Sequence, residues 1–162
     1  AGKQSVKGVE FDSSFNPIDA LQLRVATVYL DSKYDSFVRS QFGDLSGKSV
    51  GGIPKWSTTL GATYTADLSG GKALVLNTDY HFESKTVMND DPAAAQYTRS
   101  VKDLGAAITL RLDSGLQFSL WGRNLTSAQY FTTIFPSVVQ SGSISGYPNQ
   151  PRTYGASVKY KF

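Results

Sequence analysis

Cysteine is absent from the 162 residues, so neither a disulfide framework nor a thiolate metal site is available. An excess of one charge is also missing: 16 Lys and Arg against 13 Asp and Glu leave a net charge of +3, with the two signs interspersed. Without a basic cluster there is no electrostatic footprint for nucleic acid, and no nucleic-acid partner is expected. No run of 18 apolar residues occurs, which excludes a transmembrane helix. It does not exclude a transmembrane barrel, in which only alternate residues of each strand need be apolar. The stretch from Ala1 to Glu10 is polar and carries no secretory leader, so the chain reads as a mature protein or as a piece of a longer one.

What is present favours strands and turns. The chain has 15 Gly, 9 Tyr and 9 Phe among many Ser and Thr, and no long helical pattern. Period-2 alternation predicts seven strands, at about 4–12, 20–33, 55–67, 73–84, 102–113, 116–125 and 153–162. Most are near ten residues, the length of a tilted strand crossing a bilayer. Short connections carry turn chemistry at Asn16-Pro17, Ser69-Gly70-Gly71 and Asp113-Ser114-Gly115, and they alternate with long ones at roughly 35–54, 85–101 and 126–152. In an up-and-down meander this puts every short turn at one end of the sheet and every long loop at the other.

The two faces differ in kind. One row contains Leu21, Leu23, Val25, Thr27 and Tyr29, then Trp56 to Tyr64, Leu74 to Phe82, Leu104 to Leu112, Leu116 to Gly122 and Tyr154 to Phe162 at every second residue, and it holds no charge. The alternate row holds Arg24, Asp79, Glu83, Asp103, Arg111, Arg123, Lys159 and Lys161. A soluble β-sandwich would also have an apolar row, but it has no reason to sort residues by height. Here Tyr29, Trp56, Tyr80, Phe82 and Tyr154 fall near the long loops, Tyr64, Tyr160 and Phe162 near the short turns, and aliphatic residues between them. That is the apolar band and aromatic girdles of a barrel in lipid.

Three segments then resemble one family. GGIPKWSTTLGATY at 51–64, SLWGRNLTSAQYF at 119–131 and QPRTYGASVKYKF at 150–162 are similar to the carboxy-terminal end of TonB-dependent outer-membrane receptors. The resemblance implies an all-β, antiparallel, up-and-down transmembrane β-barrel, of which residues 1–162 supply the last seven or so strands out of about 22, the plug domain and earlier strands being absent. It further implies an active-transport receptor of the bacterial cell outer membrane for a scarce solute such as a ferric siderophore, cobalamin or an oligosaccharide. Its partners would be the TonB complex through the absent plug, the barrel-assembly machinery, outer-membrane lipid and a small-molecule substrate. A small stand-alone eight-stranded barrel with a structural or binding role is the alternative. An open sheet leaves unpaired edges in lipid, so such a chain must belong to a larger barrel or close its edges otherwise, for instance with an eighth strand from 126–147.

Site residues follow from this reading. Arg24, Asp79, Glu83, Arg111 and Arg123 are expected to face the lumen. Substrate contacts are expected from loop aromatics, foremost Tyr97, Tyr130, Phe131, Phe135 and Tyr147, with Tyr34, Phe37 and Phe42 also offering aromatic surface. Gly155, Val158, Tyr160 and Phe162 resemble the signal read by the barrel-assembly machinery, which pairs with an open strand edge. His81, the single histidine, lies at i, i+2 and i+4 with Asp79 and Glu83, a set better explained by lumen charge pairing than by a metal. Ser69-Gly70-Gly71-Lys72 lacks P-loop spacing, and nothing resembles a nucleophile elbow, so no enzyme and no cofactor are expected. Asn124-Leu125-Thr126 matches a glycosylation sequon, which has little meaning in a bacterial envelope protein.

Overall fold

A computed structural model describes residues 2–140 and 142–161. Among these described residues nine strands form: β1 (Lys3–Ile18), β2 (Leu21–Ser36), β3 (Trp56–Leu68), β4 (Lys72–Val87), β5 (Thr98–Arg111), β6 (Leu116–Arg123), β7 (Phe131–Pro136), β8 (Ile144–Pro148) and β9 (Thr153–Tyr160). Seven of them make one antiparallel sheet in the order β1-β2-β3-β4-β5-β6-β9, and β7 pairs with β8 apart from it. The expected meander is therefore present, with its short turns at one end. Gly70, Gly71 and Gly115 supply the positive φ these turns need, at 71°, 66° and 84°.

Register carries the two-faced pattern across the whole sheet. Val25 stands opposite Leu60 and Leu60 opposite Tyr80. Leu76 stands opposite Ile108, Ile108 opposite Leu120, and Phe118 opposite Val158. Because side chains alternate with period 2, this register gathers every apolar row onto one face. Among the described residues nothing covers that face: Leu120 is 62 % exposed, Val158 66 % and Tyr154 67 %. A sandwich would bury these side chains against a second sheet, and here there is a single layer.

Aromatics mark the height of the band. Tyr29 packs on Trp56 with ring centroids 4.9 Å apart, at the long-loop end. Above this pair charge appears on the outer row as well, where Lys7 stands opposite Asp31 and the Ser5 hydroxyl donates to Asp35 at 2.9 Å. The upper parts of β1 and β2 thus project beyond the apolar band toward the loops.

Three sequence expectations are corrected. The first strand does not end near residue 12, and Asn16-Pro17 is not its turn: β1 runs to Ile18 and the chain turns at Asp19-Ala20. Phe15 pairs with Leu23 and Ile18 with Leu21, so Asn16 and Pro17 form a bulge opposite one residue. Proline has no N–H to give a ladder, and a bulge on an edge strand is where a sheet tolerates it. The fifth strand starts at Thr98 rather than 102, out of what was expected to be loop. Residues 126–147 provide no eighth wall strand, because β7 and β8 spend their backbone groups on each other. Phe162 lies outside the described residues.

Candidate functional site at the loop end of the wall

Two of the long connections are tied by one carboxylate. Asp90 accepts from the Tyr34 hydroxyl at 2.6 Å and from the Gly51 amide at 2.8 Å. The Gly52 amide donates to the Val87 carbonyl at 2.7 Å and the Thr86 hydroxyl to the Ile53 carbonyl at 3.1 Å, so segments 37–55 and 88–97 are held as a pair. Donation to Asp90, with burial and the negative charge acting in the same sense, pushes the Tyr34 phenol up to about 12. Tyr34 therefore serves the tie instead of offering a free loop ring, and it packs on Phe37 at 5.2 Å. Tyr97 closes the second segment, its amide donating to Ala94 at 2.9 Å and its carbonyl accepting from Met88 at 3.1 Å.

The third connection is built on two asparagines. Asn124 is 4 % exposed and adopts φ 49°, a left-handed conformation that Asn tolerates better than most residues. Its Nδ2 donates to the carbonyls of Ala128 and Gln150, both at 2.9 Å, and its Oδ1 accepts from the Ala128 amide at 2.7 Å. Asn149 answers from the returning segment: Oδ1 accepts from the Tyr130 amide at 2.9 Å and Nδ2 donates to the Ala128 carbonyl at 2.9 Å. The asparagine of the sequon is thus wholly engaged as a structural hub.

From this base the β7–β8 hairpin projects. It carries Phe131, Phe135 and Tyr147, with Phe135 and Tyr147 paired at 5.6 Å between centroids. A cleft of about 870 Å³ at the hairpin base is lined by Tyr130, Phe131, Asn149 and Arg152 among others. Burial raises the Tyr130 phenol above its usual value, with the negative charges of Asp103 and Glu83 adding to the shift and Arg99 opposing it. Of the sequence-predicted aromatics, Tyr130, Phe131, Phe135 and Tyr147 are brought together, while Tyr97 belongs to the other loop pair.

The inner face holds the expected charges at different heights. Asp79 overlies Gly105, where a Cβ would stand 2.8 Å from its Oδ1, and Arg24 overlies Gly61, where a Cβ would stand 3.2 Å from its Nε. Glycine on the neighbouring strand leaves room for each of these side chains to lie against the wall. Arg123 sits 5.1 Å over the Trp121 ring, and that indole in turn covers Gly155. Arg111 stands at the short-turn end, opposite Ala73. His81 shares a hydrogen bond with Thr59 at 3.1 Å and approaches Glu83 at 3.4 Å. Among the described residues no group of three or more His, Cys, Asp or Glu is placed to hold a metal ion.

Sequence reasoning passed over Arg99, which lies in a stretch expected to be loop. Its Nη2 meets Glu83 Oε2 at 2.8 Å, and its Nη1 donates to the Thr132 carbonyl in the hairpin at 3.3 Å. A second bulge lies beside this pair: Glu83 pairs with Val101 but Thr86 with Arg99, so Ser84 and Lys85 stand opposite one residue, while Arg99, two residues before Val101, shares the face of Glu83. An apolar depression of about 790 Å³ along Ala62, Thr78, Ala106 and Gly122 is on the outer face and belongs to the uncovered apolar band.

A single-layer antiparallel wall with one face charge-free through its apolar band, one charged face and all long loops at one end defines a segment of a receptor-type β-barrel. The chain belongs to the TonB dependent receptor-like β-barrel family, whose model matches residues 1–125. Among solved structures it is similar to the ferric yersiniabactin uptake receptor FyuA from Yersinia pestis, with a TM-score of 0.82 at 17% identity over 100% of this chain and 24% of that one. It is also similar to BauA, the ferric preacinetobactin receptor from Acinetobacter baumannii, with a TM-score of 0.68 at 23% identity over 99% of this chain and 22% of that one. The siderophore receptor PiuA from the same organism gives 0.69 at 20% identity over 97% of this chain and 21% of that one. The chain therefore spans under a quarter of each of these receptors, and at such identities the likeness speaks for the fold. No curated protein sequence matches it. The family and these neighbours are transport receptors, not enzymes.

Proposed function

We propose that residues 1–162 are the carboxy-terminal part of the barrel of an active-transport receptor in a bacterial outer membrane. The seven wall strands are its last seven of about 22. A plug domain and the earlier strands belong to the same receptor, TonB energises it through the plug, and the solute is scarce, with a ferric siderophore favoured. The observation that carries this reading is the uncovered, charge-free face between two aromatic rows, set against a charged face under clustered loops. That face requires lipid, and a lumen lined by charge requires something to fill or cross it. The names of the three similar receptors support the siderophore class.

In this reading the hairpin aromatics Phe131, Phe135 and Tyr147, with Tyr130 at its base, and Tyr97 in the neighbouring loop take part in capture. Arg24, Asp79, Glu83, Arg111 and Arg123 line the lumen. Strand β9, with Gly155 on the inner face and Val158 and Tyr160 on the outer, offers its open edge first to the barrel-assembly machinery and then to the barrel's first strand. Uptake by cells expressing the full-length receptor tests the proposal, using labelled ferric catecholate, ferric hydroxamate, cobalamin and maltodextrin as the panel. Uptake of one ferric complex that stops on loss of TonB or of the proton gradient is the expected result. A heat-resistant folded barrel formed by residues 1–162 alone would refute it in favour of the small-barrel alternative.

A further inference from the structure

Residues 124–151 include no charged side chain, although Tyr130 at the hairpin base lies within the electrostatic reach of Asp103, Glu83 and Arg99 on the wall. The Thr126 hydroxyl and the Leu125 amide donate to the Lys102 and Leu104 carbonyls at the foot of this segment, but any charged tie to the wall must come from the wall. Arg99 supplies such a tie. Its side chain and that of Glu83 are 19% and 18% exposed, so the ion pair is largely screened from water, and the same guanidinium reaches the Thr132 carbonyl. The pairing is close but unsaturated: neither Glu83 Oε2 nor Arg99 Nε, both buried, makes an aligned hydrogen bond. Glu83 therefore orients the guanidinium by charge, and the directed bond goes to the hairpin.

We propose that Arg99 is the positioning residue that docks the β7–β8 hairpin against the inner wall, with Glu83 orienting it. Glu83 is itself steadied by His81, which Thr59 holds from the next strand. Docking fixes which way Phe135 and Tyr147 face at the barrel mouth. Its role in capture rests on the transport reading given above; the docking itself does not.

The test uses the full-length receptor in outer-membrane vesicles, with any other cysteine replaced and a nitroxide attached through Val139→Cys, at a tip position that is 100% exposed. Removing a charged donor from its acceptor is expected to raise the mobile fraction of the label about tenfold in Arg99→Met. Arg99→Lys, which keeps the charge and one donor, is expected to recover most of the native immobility. Glu83→Gln should fall between native and Arg99→Met. Migration of the unheated protein in detergent gels confirms that each variant retains a closed barrel. An unchanged label in a folded Arg99→Met, or equal mobility in the Lys and Met variants, overturns the proposal. A mobile hairpin with undiminished uptake of ferric catecholate, ferric hydroxamate and cobalamin would instead leave the docking intact and refute the hairpin's part in capture.

Discussion

Replacing Asn124 by alanine removes three well-formed bonds at once: two from Nδ2 to the Ala128 and Gln150 carbonyls at 2.9 Å and one from the Ala128 amide to Oδ1 at 2.7 Å. Each is worth about 0.5–1.5 kcal/mol net, and the partners left behind are held near a residue that is 4 % exposed. The expected loss is about 2–4 kcal/mol, confined to local opening of residues 124–152, because the wall strands pair without that segment. At 1.4 kcal/mol per decade, this raises the open population between about 30-fold and about 1,000-fold. Limited proteolysis of the hairpin in the membrane-embedded receptor reads that population directly when reclosing outpaces cleavage. Asn124→Gly loses the same bonds but gains about 1 kcal/mol by accepting the left-handed φ without a Cβ, so it should be roughly fivefold milder. A change of less than about threefold in Asn124→Ala, or a glycine variant no milder than alanine, would refute the hub as the source of hairpin order.

Other outcomes follow from the same geometry. The tie between segments 37–55 and 88–97 should hold below pH 10 and be lost as pH rises toward about 12, because Tyr34 must stay protonated to donate to Asp90. Cleavage rates of these loops against pH, with Tyr34→Phe showing no such transition, check the sign. Leu120→Arg puts a charge in the middle of the exposed apolar face and should destabilise the folded barrel by about 2–4 kcal/mol, measured by urea titration in lipid, whereas Ser157→Arg on the inner face should cost much less. Gly155→Ala should slow folding into membranes because its Cβ meets the Trp121 indole; pairing it with Trp121→Ala should recover most of the loss, and additive losses would refute the contact.

The wall was legible because its physics is repetitive. Lipid on one side permits no charge, and a ladder with period 2 converts that into a pattern visible at every second residue, so all seven wall strands appear in the sequence. Boundaries were less readable where backbone geometry departs from the ladder. Asn16-Pro17 has the composition of a turn, and only the pairing of Phe15 with Leu23 distinguishes a bulge from one. β7 and β8 escaped notice because Phe131, Phe135 and Tyr147 are all substantially exposed, so no apolar-polar alternation announces them.

The residues that organise the loop end were hidden for a different reason. Asn124, Asn149 and Arg99 each act on backbone carbonyls or amides supplied by another segment, and backbone groups are identical at every position. A charge-free face can be inferred from which side chains are missing; a side chain that bonds to main chain leaves no complementary residue to find. Glu83 shows the distinction within one site. Its place on the charged row follows from alternation, and Arg99 shares that face because it stands two residues before Val101, the partner of Glu83, a pairing that cannot be read while residues 98–101 pass for loop. A deletion of Lys85 should therefore restore an unbroken ladder and still leave Arg99 on the face of Glu83. The clasp should survive, and the Val139 label should stay immobile. A mobile label in that deletion would show that the local shape of the bulge, and not only the shared face, carries the clasp.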